Sequence, residues 1–210
     1  MAVAQHPAPV PASHAAVSDA PPTPPARPRV VMVATAFAVA GMVVFFGGLF
    51  GIYLQQRAAA LSGGGTWVPD KANLPLQQPT VMVFALISSS FMIQWAVDAI
   101  RRDDRAQAYL ALGITLLFGF AVINMAVYLY SVMGLDIAIQ TPMPLLVYVI
   151  TGSHLLALIV AMLFVALMAF RALGGQFSSR QADGIAAAAL FWHSQVLVFA
   201  IIWYAIYVTK

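Results

Sequence analysis

Residues 30–54 read VVMVATAFAVAGMVVFFGGLFGIYL, an uninterrupted run without a charged side chain. The hydrocarbon core of a bilayer is about 30 Å thick, and an α-helix needs about 20 residues to cross it. A run of this length and polarity predicts a transmembrane helix, because a charge at the bilayer centre is strongly unfavourable.

Four more apolar stretches of sufficient length follow the first. The five predicted spans are residues 30–54, 80–100, 109–133, 143–170 and 184–208. The connections between them hold the Gly, Pro and charged residues that favour turns. The sequence therefore predicts an all-α integral membrane protein whose residues 29–210 form a bundle of five transmembrane helices.

The composition agrees with a lipid environment and excludes several classes of function. Of the 210 residues, 62% are hydrophobic and 8% are charged, whereas a soluble domain carries about 25% charged residues. The chain has no cysteine, which excludes disulfides, thiolate metal sites and cysteine nucleophiles. Its Lys and Arg residues are scattered, so no basic run exists to bind nucleic acid.

The predicted topology places the N-terminus in the cytoplasm and the C-terminus outside. Residues 1–28 are rich in Pro and Ala and are predicted to be a disordered cytoplasmic tail. This arrangement leaves three basic residues outside, Arg57, Lys71 and Lys210. It places seven inside: Arg27, Arg29, Arg101, Arg102, Arg105, Arg171 and Arg180. The excess of inside positive charge favours this orientation.

The first span contains a G-x-x-x-G pair, Gly47 and Gly51, on one helix face. Small residues at this spacing let another helix approach closely. Packing within the bundle is the favoured interpretation, and a dedicated face for a different subunit is the alternative.

Outside the tail, the histidines are His154 and His193, both towards the interior of their spans. The favoured interpretation is that each imidazole hydrogen-bonds to a backbone carbonyl, a hydroxyl or a lipid head group. One alternative is a redox subunit in which the pair ligates a haem b iron or forms a quinone site. The other is a small transporter, although the spans carry almost no charge to form a substrate path.

The remaining polar and aromatic residues are expected to have structural roles. Asp98 is expected to form an exposed ion pair with the arginines that follow it, and Asp103 and Asp104 are expected to be solvated loop charges. Hydrogen bonds between helices are expected for Ser88, Ser89, Ser90, Gln94 and Asn124. An interfacial aromatic belt is expected at Trp67, Trp203, Tyr204 and Tyr207. No nucleophile paired with a base is present, so the chain is not predicted to be an enzyme by itself.

The segment at residues 44–54, VFFGGLFGIYL, resembles the first-helix motif M-F-F-A-G-L-F-A-x-Y-F of subunit III of bacterial haem-copper terminal oxidases. Further motifs of that family follow in its order: SSSF with Gln94, ITLLFG at 114–119, YVITGSH at 148–154 and LFWH at 190–193. The resemblance covers residues 41–210 and matches the short, five-helix form of the family.

Several polar positions of that family are replaced in this chain. Its first-helix glutamate falls on Met42, and the Gln and Glu of its Q-x-Y-E-Y motif fall on Ala126 and Leu129. The second histidine of its T-G-x-H-x-x-H motif falls on Ala157, and the acid of its W-H-x-x-D motif falls on Val196. The resemblance therefore implies a divergent member that has lost ionisable groups.

The resemblance implies a non-catalytic accessory subunit of an aerobic oxidase that reduces dioxygen to water and pumps protons. The implied partners are subunit I directly, subunit II in the complex and, in a supercomplex, a cytochrome bc complex. Haem and copper are expected on the partner subunits, with none on this chain, and the electron donor is cytochrome c or quinol. The implied location is the bacterial cytoplasmic (inner) membrane, with bound phospholipid. Structural, lipid or subunit contacts are expected at His154, His193, Trp192, Gly47, Gly51 and Gln94.

Overall fold

The computed structural model describes residues 29–70, 72–135, 141–179 and 181–210. The predicted disordered tail, residues 1–28, lies outside the described residues. The helices of the described chain are α1 (Val30–Ser62), α2 (Gln77–Arg101), α3 (Arg105–Met133), α4 (Pro142–Leu173) and α5 (Asp183–Ile202). A π-helix, Trp203–Val208, continues α5 to the end of the bundle.

Each of these five helices is long and apolar enough to cross a membrane. The described residues contain no β-strand. The predicted all-α, five-span architecture is therefore confirmed, and the chain is a multi-pass membrane protein. The side of the membrane on which each terminus lies stays a prediction.

Two helix boundaries differ clearly from the predicted ones. α1 continues past residue 54 to Ser62, because the residues that follow, QQRAAALS, are mostly good helix formers. α3 begins at Arg105 rather than 109, because the carboxylate of Asp104 accepts a hydrogen bond from the backbone N–H of Gln107 at 3.1 Å. This is an N-cap, which satisfies one of the free donors of the first turn.

α5 is the central helix of the bundle. It packs against α1, α2 and α4, and α3 closes the ring between α2 and α4. Half of the 20 residues of α5 are buried, including a run of small residues at 187–189 that lets neighbouring helices approach. By contrast, α1 buries only Thr35, Phe46 and Tyr53 of its 33 residues. α1 is therefore a peripheral helix that docks along a narrow stripe.

One of the tightly packed glycines is on α3, and the predicted pair on α1 is not in a helix contact. A Cβ added at Gly119 would lie 2.8 Å from Met162 Sδ and 3.0 Å from Trp192 Cη2. A Cβ added at Gly47 or Gly51 would meet nothing within 4 Å, and both residues are exposed. The favoured interpretation of the G-x-x-x-G pair as packing within the bundle is therefore wrong. The face that it forms points away from the bundle.

The prediction of an interfacial aromatic belt is also partly wrong. Trp67 is only 4% exposed and Tyr207 only 1%, whereas Tyr204 does face outward. The indole N–H of Trp67 donates to the hydroxyl of Tyr53 at 3.0 Å, so the segment after α1 folds back over the bundle. Both tyrosines lie within the π-helix, where more residues complete each turn than in an α-helix. Tyr204 and Tyr207 therefore do not share a face, and Tyr207 turns inward.

Each end of the bundle is held together by contacts that were not predicted from the sequence. At the C-terminal end, the guanidinium of Arg57 donates to the side chain and the backbone carbonyl of Thr209. Lys210 Nζ donates to the carbonyl of Leu74 at 2.7 Å. Hydrogen bonds between residues far apart in the chain leave no periodic signal in the sequence.

At the opposite end, the predicted ion pair between Asp98 and Arg101 is confirmed, with 3.7 Å between nitrogen and oxygen and both side chains exposed. Asp103, predicted to be a solvated loop charge, is exposed, but its carboxylate also accepts from the backbone N–H of Ser179 at 2.7 Å. This bond joins the α2–α3 turn to the segment before α5. This end of the bundle is therefore held together by a hydrogen bond between a side chain and the backbone as well as by an ion pair.

We predict that Gly119→Ala will lower the free energy of unfolding by about 1–3 kcal/mol, because the new methyl group overlaps the ring of Trp192 and overpacks the core. Gly47→Ala is the matched control, since its methyl group enters open space. The measurement is thermal or denaturant unfolding of both variants in the same detergent. Equal effects of the two substitutions would contradict the packing described here.

Candidate functional site

Two adjacent residues of α5 bond to two adjacent serines of α2. The indole Nε1–H of Trp192 donates to Ser89 Oγ at 2.8 Å, and Nδ1 of His193 lies 3.0 Å from Ser90 Oγ. The hydroxyl of Ser89 donates in turn to the carbonyl of Leu86 at 2.6 Å. We call Ser89, Ser90, Trp192 and His193 the α2–α5 polar junction. It confirms the expected interhelical hydrogen bonds for both serines.

The α2–α5 polar junction lies inside the bundle. Ser89 and Trp192 are fully buried, and Ser90 and His193 are half-buried. Because lipid offers no hydrogen-bond partner, an unpaired indole N–H at this depth would be strongly unfavourable. The junction therefore fixes the register of α5 against α2.

His154 of α4 is bound to the backbone of α5. Its Nε2 lies 3.0 Å from the carbonyl oxygen of Gln195. A carbonyl oxygen can only accept, so Nε2 carries the hydrogen in this contact. The ring of Phe199 lies 5.1 Å from the imidazole and that of Phe46 lies 6.4 Å away, measured between ring centroids. The side chain thus joins α4 to α5 within an aromatic surround.

The two histidines lie on opposite sides of the axis of α5. His193 and Gln195 are two residues apart on one helix, so their side chains project about 200° apart. His154 packs on the Gln195–Phe199 side, because residues four apart share a face. His193 is engaged with α2 on the other side. This geometry does not bring the imidazoles to one iron and does not favour the haem-ligand alternative.

The side chain of Gln195 contacts Met42, one of the replaced motif positions. Its side chain is fully buried, and its Nε2 lies 2.9 Å from Met42 Sδ on α1. Its Oε1 is buried without a hydrogen-bond partner among the described residues. Met42 falls on the position of the glutamate in the resembled first-helix motif, and in this chain a thioether contacts the amide.

Gln94 and Asn124 do not make the interhelical hydrogen bonds expected of them. Gln94 is exposed and bonds weakly to Asp98 of its own helix, at 3.5 Å. Asn124 is exposed and donates to the carbonyl of Phe120, four residues earlier, at 2.9 Å. The sequence placed both residues on the correct helices but not on the correct side of each helix, because an apolar run does not reveal which side of a helix is buried.

The structure adds a tyrosine contact that the sequence did not single out. The hydroxyl of Tyr130 on α3 donates to Thr151 Oγ1 of α4 at 2.9 Å, and Thr151 donates to the carbonyl of Val147 at 2.6 Å. Thr151 belongs to the T-G-x-H motif that also supplies His154. The motif thus contributes one polar contact to α3 and one to α5.

An apolar groove runs along the outside of the bundle between α1 and α4. One part has a volume of about 460 Å³ and a second part about 420 Å³. The two parts share Ala38, Val160 and Phe191 as lining residues. We call them together the α1/α4 groove. Met42 and Ala157, which fall on two of the polar motif positions named above, both line it, and both are apolar in this chain.

The chemistry available in this site is hydrogen bonding and apolar contact. In the described part of the chain, no three His, Cys, Asp or Glu side chains come together as metal ligands. The polar groups join helices, and the groove offers hydrocarbon surface. Such a fold and site define a multi-pass membrane protein built to pack against lipid and other helices.

Comparison with known proteins gives the family. The family model described as "Cytochrome c oxidase subunit III" matches residues 29–210, which include all five helices. The chain belongs to the cytochrome c oxidase subunit III family.

Individual relatives agree with this assignment. The protein named "Cytochrome c oxidase subunit 3" of Thermostichus vulcanus is 29% identical over 180 residues, which are 82% of this chain and 87% of that protein. "Probable cytochrome c oxidase subunit 3" of Mycobacterium tuberculosis is 30% identical over 183 residues, covering 86% and 89% of the two chains. The Homo sapiens protein named "Cytochrome c oxidase subunit 3" is 30% identical over 170 residues, but only 64% of it is covered. The chain therefore matches the first two proteins over nearly their whole length.

We predict that Ser89→Ala will lower the free energy of unfolding by about 1–3 kcal/mol, because it leaves the buried indole N–H of Trp192 without its acceptor. Ser88→Ala is the matched control, since Ser88 is the neighbouring serine and lies outside the α2–α5 polar junction. Unfolding in detergent, followed by tryptophan fluorescence, measures both. The role of the junction would be refuted by a Ser89 variant as stable as the Ser88 variant.

Proposed function

We propose that the chain is a non-catalytic accessory subunit of an aerobic haem-copper cytochrome c oxidase. In this role it packs beside subunit I, in a complex that includes subunit II, and stabilises the enzyme that reduces dioxygen to water and pumps protons. The observation that carries the proposal is the family match across all five helices. The electron-transferring haem and copper are assigned to the partner subunits.

The interior of the bundle supports a bracing role. The two histidines within the spans are each bonded to a neighbouring helix, His154 to a carbonyl of α5 and His193 to a serine of α2. The family's ionisable first-helix, fourth-helix and fifth-helix positions are Met42, Ala157 and Val196 here. A chain that keeps its helix contacts and loses its buried acids is suited to supporting a neighbour rather than to transferring protons.

The charges support a cytoplasmic N-terminus, and the location that we propose is the bacterial cytoplasmic membrane. One end of the bundle carries Arg29, Arg101, Arg102, Arg105 and Arg171. The other end carries Arg57 and Lys210, both used in contacts with neighbouring backbone. The more positive end is the cytoplasmic one by the positive-inside rule.

We propose further that the α1/α4 groove holds a phospholipid acyl chain. Its lining is mostly apolar, and the two polar lining residues are Ser153 and Thr35, whose hydroxyl donates to the carbonyl of Val31 at 2.8 Å. The groove is open along the side of the bundle, where lipid is the solvent, and its volume of about 460 Å³ in one part alone exceeds that of a few methylene groups. An extended chain fills such a groove without leaving a polar group unpaired.

Ala157→Trp tests the lipid proposal, because the indole would occupy the α1/α4 groove. We expect the variant to lose about one tightly bound phospholipid per chain, measured by native mass spectrometry of the purified complex. Val149→Trp, at an exposed position of the same helix, is the control and should keep the lipid. Equal lipid content in both variants and the parent would contradict the proposal.

Replacement of both histidines, His154→Leu with His193→Leu, tests the bracing role. We expect the amount of this chain recovered with subunit I to fall about fivefold to tenfold, because two interhelical hydrogen bonds are lost. The measurement is affinity purification of subunit I followed by quantitative mass spectrometry. Leu156→Ile, at an exposed position of α4, is the control. Unchanged assembly and turnover in the double variant would refute the role, and a Soret band in the isolated parent chain would favour the haem alternative instead.

A further inference from the structure

A small cavity lies inside the bundle, where α2, α3, α4, α5 and the π-helix meet. It leaves about 20 Å³ in which the centre of a water molecule can move. A cavity needs about 10–15 Å³ by this measure to hold one water molecule. Most of its lining residues are buried, and the polar ones are Tyr130, Thr151, His154 and Tyr207. The cavity therefore has room for a single water molecule beside four polar side chains.

His154 has an unpaired acceptor at this cavity. Its Nε2 carries the hydrogen that is donated to the carbonyl of Gln195, so Nδ1 is a bare acceptor. Nδ1 has no hydrogen-bond partner among the described residues. The aromatic rings that pack against the imidazole, those of Phe46 and Phe199, carry no polar hydrogen. Because His154 is only 3% exposed, leaving this nitrogen without a donor is unfavourable.

Tyr207 has a donor without a good acceptor. Its hydroxyl donates only to Met133 Sδ, at 3.9 Å, and a thioether sulfur is a weak acceptor. The other two hydroxyls at the cavity already donate their hydrogens, Tyr130 to Thr151 and Thr151 to the carbonyl of Val147. Within the described part of the chain, no oxygen or nitrogen accepts the hydroxyl hydrogen of Tyr207.

One water molecule can satisfy these groups together. It can accept from Tyr207 and donate its two hydrogens to Nδ1 of His154 and to the hydroxyl oxygen of Tyr130. A buried water molecule typically makes about three such hydrogen bonds. Cavities lined only by apolar side chains stay dry, but this cavity is bordered by an imidazole and three hydroxyls. Acyl chains cannot serve as partners for these groups, so the lining favours water.

We propose that the cavity is a binding site for one structural water molecule, held by Tyr207, His154 and Tyr130. The water joins the π-helix to α3 and α4. π-helices are often found at functional sites, and here the π-helix carries Tyr207 on its buried side and Tyr204 on its exposed side. The inference concerns this chain alone and does not depend on the proposed function.

Radiolytic footprinting of the full chain in native membranes tests the site. X-rays convert bound water into hydroxyl radicals, which oxidise the side chains beside it, and peptide mass spectrometry locates the added oxygen. Met82 lines the cavity and Met168 does not, yet both are 2% exposed. In water that carries a heavy oxygen isotope, we expect Met82 to take up the label about fivefold to tenfold faster than Met168. Equal, slow uptake at the two residues would show that the cavity is dry and overturn the proposal.

Removal of a single hydroxyl tests the proposed donor. Tyr207→Phe keeps the ring and loses the O–H, so we expect label uptake at Met82 to fall about fivefold to tenfold, to the rate of Met168. Tyr204→Phe, at an exposed position of the same π-helix, is the matched control and should leave uptake at Met82 unchanged. Fast uptake at Met82 in the Tyr207 variant would refute the assignment of this donor.

A larger side chain on α3 tests the cavity itself. Ala126 is one of the lining residues, so the methyl groups added by Ala126→Val take the space of the water, and uptake at Met82 should again fall to the rate of Met168. Val127→Ile, at the neighbouring exposed position, is the control and should keep the parent rate. Continued fast uptake in the Ala126 variant would mean that radicals reach Met82 from another source, which contradicts the site. If this variant does not fold, the comparison of Met82 with Met168 in the parent chain decides alone.

Discussion

A polar atom inside a bilayer must find its partner within the protein, and this constraint organises the bundle around α5. Hydrocarbon drives no association between apolar helices, so packing and hydrogen bonds decide which helices meet. α5 supplies Trp192 and His193 to α2 and the carbonyl of Gln195 to α4. Its small residues allow the close approach that these bonds need. α1, α2 and α4 pack directly against α5, and α3 packs against α2 and α4.

The fold class was predictable from the sequence because length and polarity are sufficient to recognise a membrane span. The span on which each polar residue lies was predictable for the same reason. The direction in which it faces was not, since a helix that is apolar on every side carries no amphipathic signal. Ser89 and Asn124 are both polar residues within spans, yet Ser89 is buried at the centre and Asn124 lies on the outside. Gly47 and Gly119 differ in the same way.

The individual residues of the site could be predicted from the sequence, but their hydrogen-bond partners could not. His154, His193 and Trp192 were singled out because polar groups within spans need partners. Their actual partners, a carbonyl and two serines, depend on the rotation of α4 and α5 about their axes. Trp67 was misplaced for a different reason: the segment after α1 folds back onto Tyr53, and such a return leaves no periodic pattern. The replaced positions Met42 and Ala157 acquire a common meaning only in three dimensions, because both line one groove.

The order of helix contacts also bears on how the chain is made. α1 leaves the ribosome first, but it packs chiefly on α5, which leaves last. The contact of Arg57 with Thr209 spans nearly the whole bundle in sequence. During translation, the contacts of α1 with α5 can therefore form only after the final span has been synthesised. A truncation within α5 would leave the first helix without the neighbour against which it chiefly packs.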